Sequence, residues 1–226
     1  NPTYYRKMPS YDSSLYAPDN GEYSGAFTPD YENAEKSKAK FLAHPQIDWT
    51  ALYRANQNPI FDGNGTISGY EPAKSKYVLY EDQVEDETAA ATTNLSAQLS
   101  ENIFLNAGAA FKKLKSHNSQ QLLDLLGGSC FEDIDAFYNG DQSQSDLNNP
   151  DRQVGVGDTY GYNYNYFATT LEAFTQFKFT YNKVDFYLAQ HFARADYQRE
   201  GLYKNGIYAT NSFGKSEKVV FENFGF

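Results

Sequence analysis

Apolar and polar residues alternate along two neighbouring stretches in the last third of the chain. Between residues 167 and 181 the odd-numbered positions are mostly apolar and the even-numbered positions mostly polar. From Val184 to Phe192 the apolar residues stand on even numbers instead. A period of two is typical of a β-strand with one apolar and one polar face. The stretch is far longer than the five or six residues of an ordinary strand.

A tight turn at residues 182–183 would place both apolar sets on one face. The pairs that this register predicts are Tyr181 with Val184, Phe179 with Phe186, Phe177 with Leu188, and Ala173 with Phe192. A shift of one residue would put the two sets on opposite faces. The pattern therefore predicts an antiparallel hairpin over about 166–199.

A second hairpin is predicted over about 87–115, with its loop at residues 100–102. Its apolar pairs would be Leu99 with Ile103, Ala97 with Leu105, and Leu95 with Ala107. The opposite face is almost entirely polar, with Asn94, Ser96 and Asn106 among its residues. Both hairpins thus have one apolar and one polar side.

The connections alternate between long and short. Long segments cover about 1–86, 116–165 and 200–217, whereas the two hairpins are closed by a few residues. Outer-membrane barrels have short periplasmic turns and long extracellular loops. A strand over 167–181 rises roughly 50 Å, or roughly 35 Å when tilted by about 45°, which exceeds the apolar band of ~25 Å. The predicted fold is all-β, a segment of a transmembrane antiparallel β-barrel.

Two stretches within the long segments have helical character. They are "AEKSKAKFLAH" at residues 34–44 and "SQQLLDLLGG" at residues 119–128, the second ended by Gly127 and Gly128. Glycine pairs commonly end helices. Both stretches are predicted to be short helices.

Charge and composition exclude some partners. The 226 residues carry a net charge of -10, so nucleic acid is not an expected partner. Mean hydropathy is -0.69, and no run of about eighteen apolar residues predicts a membrane-spanning helix. The acidic stretch from Glu81 to Glu87 is interpreted as a solvated loop in preference to a divalent-cation site.

No catalytic constellation is apparent, so the chain is predicted not to be an enzyme. His44, His117 and His191 are isolated, and Cys130 is the only cysteine. No cofactor motif and no metal-ligand spacing occurs. The register places His191 opposite Phe174, where a structural, hydrogen-bonding histidine is favoured over a ligand-binding one.

Four tyrosines alternate in "YGYNYNYF", on even numbers, whereas the apolar residues that follow stand on odd numbers. Either a bulge near Tyr166 rotates the strand, or these tyrosines face inward above the bilayer. Both interpretations are favoured over a lipid-facing aromatic girdle.

Several phrases occurring in order resemble one family. They are "NPTYYRKMPSY", "DWTALYRAN", "YVLYEDQVED", "LLGGSCFEDID", "SDLNNPDRQVGVGDTYGYNYNY", "YQREGLYKNG" and "NSFGKSEK". Together they resemble the barrel of large TonB-dependent receptors, in the branch with a carboxypeptidase-like regulatory domain. The resemblance implies a multi-pass barrel of about 22 strands in the bacterial outer membrane, which imports a scarce nutrient with energy from the TonB complex.

The same resemblance implies that the chain is an internal barrel segment. The plug and regulatory domains lie outside it, and the TonB complex would be contacted through parts of the protein outside this chain. Outer-membrane lipid and a surface lipoprotein are expected partners. A non-transporting barrel that serves as scaffold or channel is one alternative. Another is a secreted, tyrosine-rich, glycan-binding β protein, in which a second sheet would cover the apolar face.

The face assignment yields two sets of candidate residues. The candidates for the substrate path are Tyr160, Tyr162, Tyr164, Tyr166, Glu172, Gln176, Lys178, Tyr187 and His191. The residues expected to face lipid are Leu95, Leu105, Leu171, Phe177, Phe179, Phe186 and Leu188.

Overall fold

The structure is a computed structural model that describes residues 16–18, 27–29, 36, 38–39, 42–43 and 46–226. It is mostly β, in antiparallel sheets. The chain divides into two compact units, Asn1–Leu79 with Asp124–Phe131, and Tyr80–Leu123 with Glu132–Phe226. Among the described residues, no helix combines the length and hydrophobicity that crossing a membrane requires.

The described residues of the first unit include two small pairs of antiparallel strands and a helix that follows Asp48. Its elements are β1 (Tyr16–Pro18) paired with β2 (Phe27–Pro29), helix α1 (Trp49–Ala55), and β3 (Gln57–Phe61) paired with β4 (Ile67–Pro72). Helix α1 begins after Asp48, whose carboxylate accepts a hydrogen bond from the Ala51 amide at 3.0 Å. Such a cap satisfies an amide that would otherwise lack a partner.

Asn56, which directly follows this helix, forms hydrogen bonds to two other segments of the chain. Its side chain is fully buried, and its amide donates to the Leu125 carbonyl at 2.8 Å. Its oxygen accepts from the Lys76 amide at 2.7 Å. Because buried polar groups are costly unless paired, Asn56 holds these three segments together.

The second unit is built on one long-stranded sheet. Its strands are β5 (Leu79–Ser100), β6 (Ile103–Asp124), β9 (Thr159–Tyr181), β10 (Val184–Gly201), β11 (Gly214–Lys215) and β12 (Val219–Gly225), in the order β11-β10-β9-β6-β5 with β12 also on β10. Strands β7 (Phe131–Glu132) and β8 (Gln153–Val154) form a separate pair, and a 3-10 helix covers Gly140–Ser143.

The predicted register of the β9–β10 hairpin is confirmed. All four predicted pairs occur, from Tyr181 with Val184 to Ala173 with Phe192. Asn182 closes the turn with a φ of 55°, a left-handed conformation that asparagine tolerates. The β5–β6 hairpin is also present, and Ser96 Oγ donates to Asn106 Oδ1 at 2.8 Å, as the predicted register requires.

The sheet therefore has two distinct faces. The apolar face is the side that carries Phe177, Phe179, Phe186 and Leu188. The polar face is the side that carries Gln176, Lys178 and Tyr187. Each residue of the first set pairs within its own set, as Phe177 does with Leu188, while Lys178 pairs with Tyr187.

Two expectations for local structure are wrong. The acidic stretch 81–87 is part of β5 and not a loop. The stretch 119–128 is not a helix, because β6 continues to Asp124 and a turn follows. Gln120 pairs with Tyr160 and Gln121 with Thr159, so hydrogen bonds to β9 override a helical pattern that exists only locally. In the stretch 34–44, the described positions 36, 38, 39, 42 and 43 are helical, as predicted.

Of the two interpretations of the tyrosine parity, the one that needs a bulge near Tyr166 is wrong. Tyr166 pairs regularly with Ser116 on one side and Arg199 on the other. The register shifts further along β9, where Ser119 pairs with Asn163 but Gln120 pairs with Tyr160. Gly161, with a φ of 69°, lies in this bulge.

Candidate binding surface on the polar face

A cluster of aromatic side chains lies on the polar face, at the end of β9 remote from its tight turn. The Tyr162 hydroxyl donates to Asp82 Oδ1 at 2.8 Å, and the Tyr162 and Tyr164 rings lie 5.9 Å apart. Burial, together with this hydrogen bond to the Asp82 carboxylate, raises the pKa of Tyr162 well above its usual value. Tyr162 therefore stays a neutral donor at physiological pH.

Strand β10 extends the cluster sideways. The Arg199 guanidinium lies over the Tyr164 ring at 4.9 Å, and Tyr166 stacks on Tyr197 at 6.1 Å. Tyr197 in turn meets the edge of Phe221 at 5.9 Å. The tyrosine cluster is defined as Tyr162, Tyr164, Tyr166 and Tyr197, with Asp82 and Arg199 as its charged neighbours.

Sequence analysis missed Tyr197, Arg199 and Asp82 as candidates. Tyr197 and Arg199 could have been found by extending the predicted register of β10. That extension places Tyr197 opposite Ala168 and Arg199 opposite Tyr166. Asp82 could not be found while its stretch was interpreted as a loop. Tyr160, which was included, is only 6 % exposed and packs edge-on against Tyr80 at 6.3 Å. Tyr160 is thus buried and offers no open surface.

The bulge beneath Tyr162 is held by a buried ion pair. Asp133 accepts from the Gly161 amide at 2.8 Å and from the Arg152 guanidinium, while Arg152 also donates to the Thr159 carbonyl at 2.7 Å. The Asp133 side chain is only 2 % exposed. Burial lowers the pKa of Arg152, but hydrogen bonds with Asp133 and Tyr203 outweigh it, so the pKa is raised.

Arg152 also joins a second loop to the bulge. Its guanidinium lies 4.8 Å from the centre of the Tyr203 ring, and the Tyr203 hydroxyl donates to the same Thr159 carbonyl at 2.9 Å. These contacts fix the start of β9, and with it the direction in which Tyr162 projects.

The remaining candidates lie nearer the tight turn. Lys178 Nζ is 3.1 Å from an Asp185 oxygen and 5.9 Å from the centre of the Tyr187 ring, while Gln176 accepts from Asn106 at 3.5 Å. Glu172 is paired with Ala193 in the ladder. They share the polar face with the tyrosine cluster, yet the structure does not gather them into one pocket with it.

His191 lies opposite Phe174, as the register predicted. The hydrogen bond expected of a structural histidine is missing: among the described residues, no group forms a hydrogen bond or an ion pair with its ring. On the other side of Phe174, Gly108 is tightly enclosed, since a Cβ there would lie 2.5 Å from Phe174 and 2.6 Å from the Asn94 side chain. The Phe174 ring and the Asn94 side chain therefore leave no room for a side chain at position 108.

The apolar face carries the seven residues that were expected to face lipid. Leu95, Leu171, Phe186 and Leu188 are 56 %, 43 %, 50 % and 52 % exposed. Phe179 stacks on Phe186 at 4.7 Å. Within the described part of the chain, no second sheet covers these side chains.

Further from the tight turns, the apolar face becomes charged. The ion-paired belt is defined by Lys115 with Glu87 at 3.8 Å, Arg194 with Glu222 at 3.0 Å, and Lys218 with Asp196 at 3.4 Å. Below it, from Leu171 to Tyr181 on β9, the apolar face has no charged residue. We call this lower part the apolar band.

The border between belt and band runs obliquely across the strands. On β5 the charge nearest the turn is Glu87, level with Lys115, whereas on β10 it is Arg194, which is level with Leu171 and hence with Phe111. The border thus shifts by four residues, about 13 Å, over three strand spacings of about 4.8 Å each. For a flat border, this shift over this distance corresponds to strands tilted by about 40° from the normal to the border.

The acidic residues at the start of β5 lie on both faces of the sheet. Strand alternation sends Glu81, Glu85 and Glu87 to one face and Asp82 and Asp86 to the other. Among the described residues, no group of three or more histidine, cysteine or acidic side chains is placed to hold a metal ion. Comparisons with protein-family models, curated proteins and solved structures found no match to this chain.

Proposed function

We propose that this chain forms part of the wall of a transmembrane β-barrel in the bacterial outer membrane, within a TonB-dependent transporter. One observation carries the membrane proposal: an exposed apolar band, free of charge, ends at an oblique border of ion pairs. Charged side chains are strongly disfavoured at the centre of a bilayer, whereas they are tolerated near its interfaces. An apolar surface of this size would otherwise be exposed to water.

The dimensions of the band support the proposal. Residues 171–181 of β9 rise about 33 Å along the strand, which becomes about 25 Å of height at a tilt of about 40°. Transmembrane barrels have an apolar band of ~25 Å and strands tilted by ≈ 35–45°. The long extensions of β5, β6 and β9 would then project beyond the outer surface of the bilayer.

The transport proposal rests on the resemblance of the sequence phrases and on the character of the polar face. In a barrel, the polar face would line the lumen and the tyrosine cluster would stand near its outer mouth. Tyrosine and arginine side chains there offer stacking surfaces and hydrogen bonds to an incoming nutrient. Contact with the TonB complex would be made by parts of the protein outside this chain.

The scaffold or channel alternative predicts the same barrel. It differs from the transporter only in that its function would not depend on energy from TonB. The secreted alternative requires cover over Leu95 and Phe186, which the described residues do not supply. We therefore rank it third.

The experiment uses the natural host, with the full-length gene deleted and restored. Growth is measured on a panel of scarce nutrients supplied singly, as iron chelates, cobalamin, oligosaccharides or peptides, with and without TonB. Growth on at least one nutrient should require both the receptor and TonB. A receptor whose loss affects outer-membrane integrity but no TonB-dependent uptake would contradict transport and favour the scaffold.

A paired set of variants then tests the polar face. Tyr164→Ala with Tyr166→Ala, and Tyr187→Ala with His191→Ala, should leave outer-membrane abundance unchanged and weaken uptake of that nutrient. Parental uptake by both variants would show that these residues are not on the substrate path.

A further inference from the structure

Lys113 lies at the border between the apolar band and the ion-paired belt. On β6 it follows Phe111, the outermost apolar residue of the band on this strand, and precedes Lys115 on the same face. Thr169 is its partner on β9. The Lys113 side chain is exposed.

The acidic groups around Lys113 are already engaged by other cations. Glu87 pairs with Lys115, and Asp196, which stands beside Thr169 on β10, pairs with Lys218 at 3.4 Å. Within the described residues, no carboxylate lies within ion-pair distance of Lys113. It is therefore an uncompensated positive charge in a chain whose net charge is -10.

A second cation is available beside it. Lys115 holds Glu87 at 3.8 Å, and their side chains are 45 % and 79 % exposed. Exposed pairs of this kind contribute little, so Lys115 can turn toward another anion at small cost. The Thr169 hydroxyl adds a hydrogen-bond donor at the same level.

We propose that Lys113, with Lys115 and Thr169, binds the phosphate of a lipid headgroup in the leaflet that surrounds the barrel. The inference rests on the proposed membrane location and adds a lipid site to it. A lipid fits the position, because its acyl chains would lie along the apolar band while its phosphate would reach the lysines. Long basic side chains at such borders extend toward the headgroups.

The adjacent residue supplies a matched control. Lys112 is also exposed and, among the described residues, also lacks an ion pair, but strand alternation places it on the polar face. Lys112→Gln and Lys113→Gln therefore remove the same charge from the same strand on opposite sides of the sheet.

The full-length protein, purified in a non-ionic detergent, is titrated with phosphatidylglycerol, and bound lipid is counted by native mass spectrometry. Lys113→Gln should weaken binding about fivefold, as expected for one basic residue near anionic lipid. Lys113→Arg and Lys112→Gln should bind as the parent does. Diacylglycerol with the same acyl chains should not distinguish the variants.

Equal losses in Lys112→Gln and Lys113→Gln would overturn the proposal, as would a Lys113 effect that persists with diacylglycerol. Displacement of the lipid by inorganic phosphate at matched concentration would indicate a site for free anions, and would overturn it too. Fractionation of the same cells reports the membrane proposal separately, because both variants remain in the outer membrane if only the lipid site fails.

Discussion

The two faces of strands β9 and β10 have opposite chemistry although they share every backbone hydrogen bond. Phe179 stacks on Phe186 on one side, while Lys178 contacts Asp185 and Tyr187 on the other. The apolar face carries no charged residue along the band, and charges appear only at the belt. The polar face varies along its whole length, from a lysine near the turn to the tyrosine cluster. We infer that the environment of the apolar face is uniform, whereas the polar face is adapted to particular contacts.

The largest effect should come from placing a charge in the middle of the apolar band. Phe177→Arg should reduce stability by about 2 to 4 kcal/mol and lower abundance in the outer membrane. Gln176→Arg, one residue away on the polar face, is the control and should assemble normally. Position 179 lies closer to the turn, so Phe179→Arg should reduce stability by less. Heat-dependent gel mobility and outer-membrane abundance measure all three, and equal effects at 176 and 177 would remove the distinction between the faces.

The next largest effect is expected from a larger side chain at a crowded position of the polar face. Gly108→Ala introduces a Cβ against Phe174 and Asn94, so it should destabilise by about 1 to 3 kcal/mol. Ala110→Ser, on the same face two residues further on, serves as control. Denaturant unfolding of the purified protein measures the difference, and a neutral Gly108→Ala would mean that the Phe174 ring moves away freely.

A smaller effect concerns the hydrogen bond between Tyr162 and Asp82. Tyr162→Phe should cost about 1 kcal/mol, the net value of one such bond. Because the folded-state pKa of Tyr162 is raised, its contribution is complete below the unfolded value of about 10 and is lost as pH rises beyond it. Stability measured against pH should therefore decline less steeply above pH about 10 in Tyr162→Phe than in the parent. Identical alkaline profiles would contradict this assignment.

The smallest effect is expected in the ion-paired belt. Arg194→Gln breaks an exposed pair with Glu222, so stability should change by less than about 1 kcal/mol. The matched change Leu171→Gln, level with it inside the apolar band, should cost more. If Arg194→Gln were the more damaging, the belt would not lie at a solvated interface.

The hairpins and their register could be predicted because the alternation of apolar and polar residues is visible within each strand. A tight turn between two such strands then fixes which residues face each other. Tyr181 with Val184 and Phe177 with Leu188 follow from counting outward from Asn182. The extent of the strands could not be predicted, because residues 81–87 and 119–124 carry acidic or helix-like patterns. Their β conformation depends on neighbouring strands, as the pairing of Gln120 with Tyr160 illustrates.

Only part of the candidate site could be predicted, because only part of it follows from alternation within a strand. The tyrosines of β9 are visible as a pattern, and their face follows from parity. The contacts of Arg199 and Asp82 require the strand extensions. The clamp of Asp133 on the Gly161 amide joins positions 28 residues apart without any periodic signal.

The most direct test is a cysteine scan of β9 over residues 171–180 in the full-length protein, without other cysteines and reconstituted in liposomes. Each position carries a nitroxide, and collision rates with oxygen and with a water-soluble nickel complex are measured. Odd positions should favour oxygen and even positions the nickel complex, with a period of two throughout. Low accessibility to both reagents at Ala173, Thr175 and Phe177 would mean that protein covers the apolar face, and would contradict its contact with lipid.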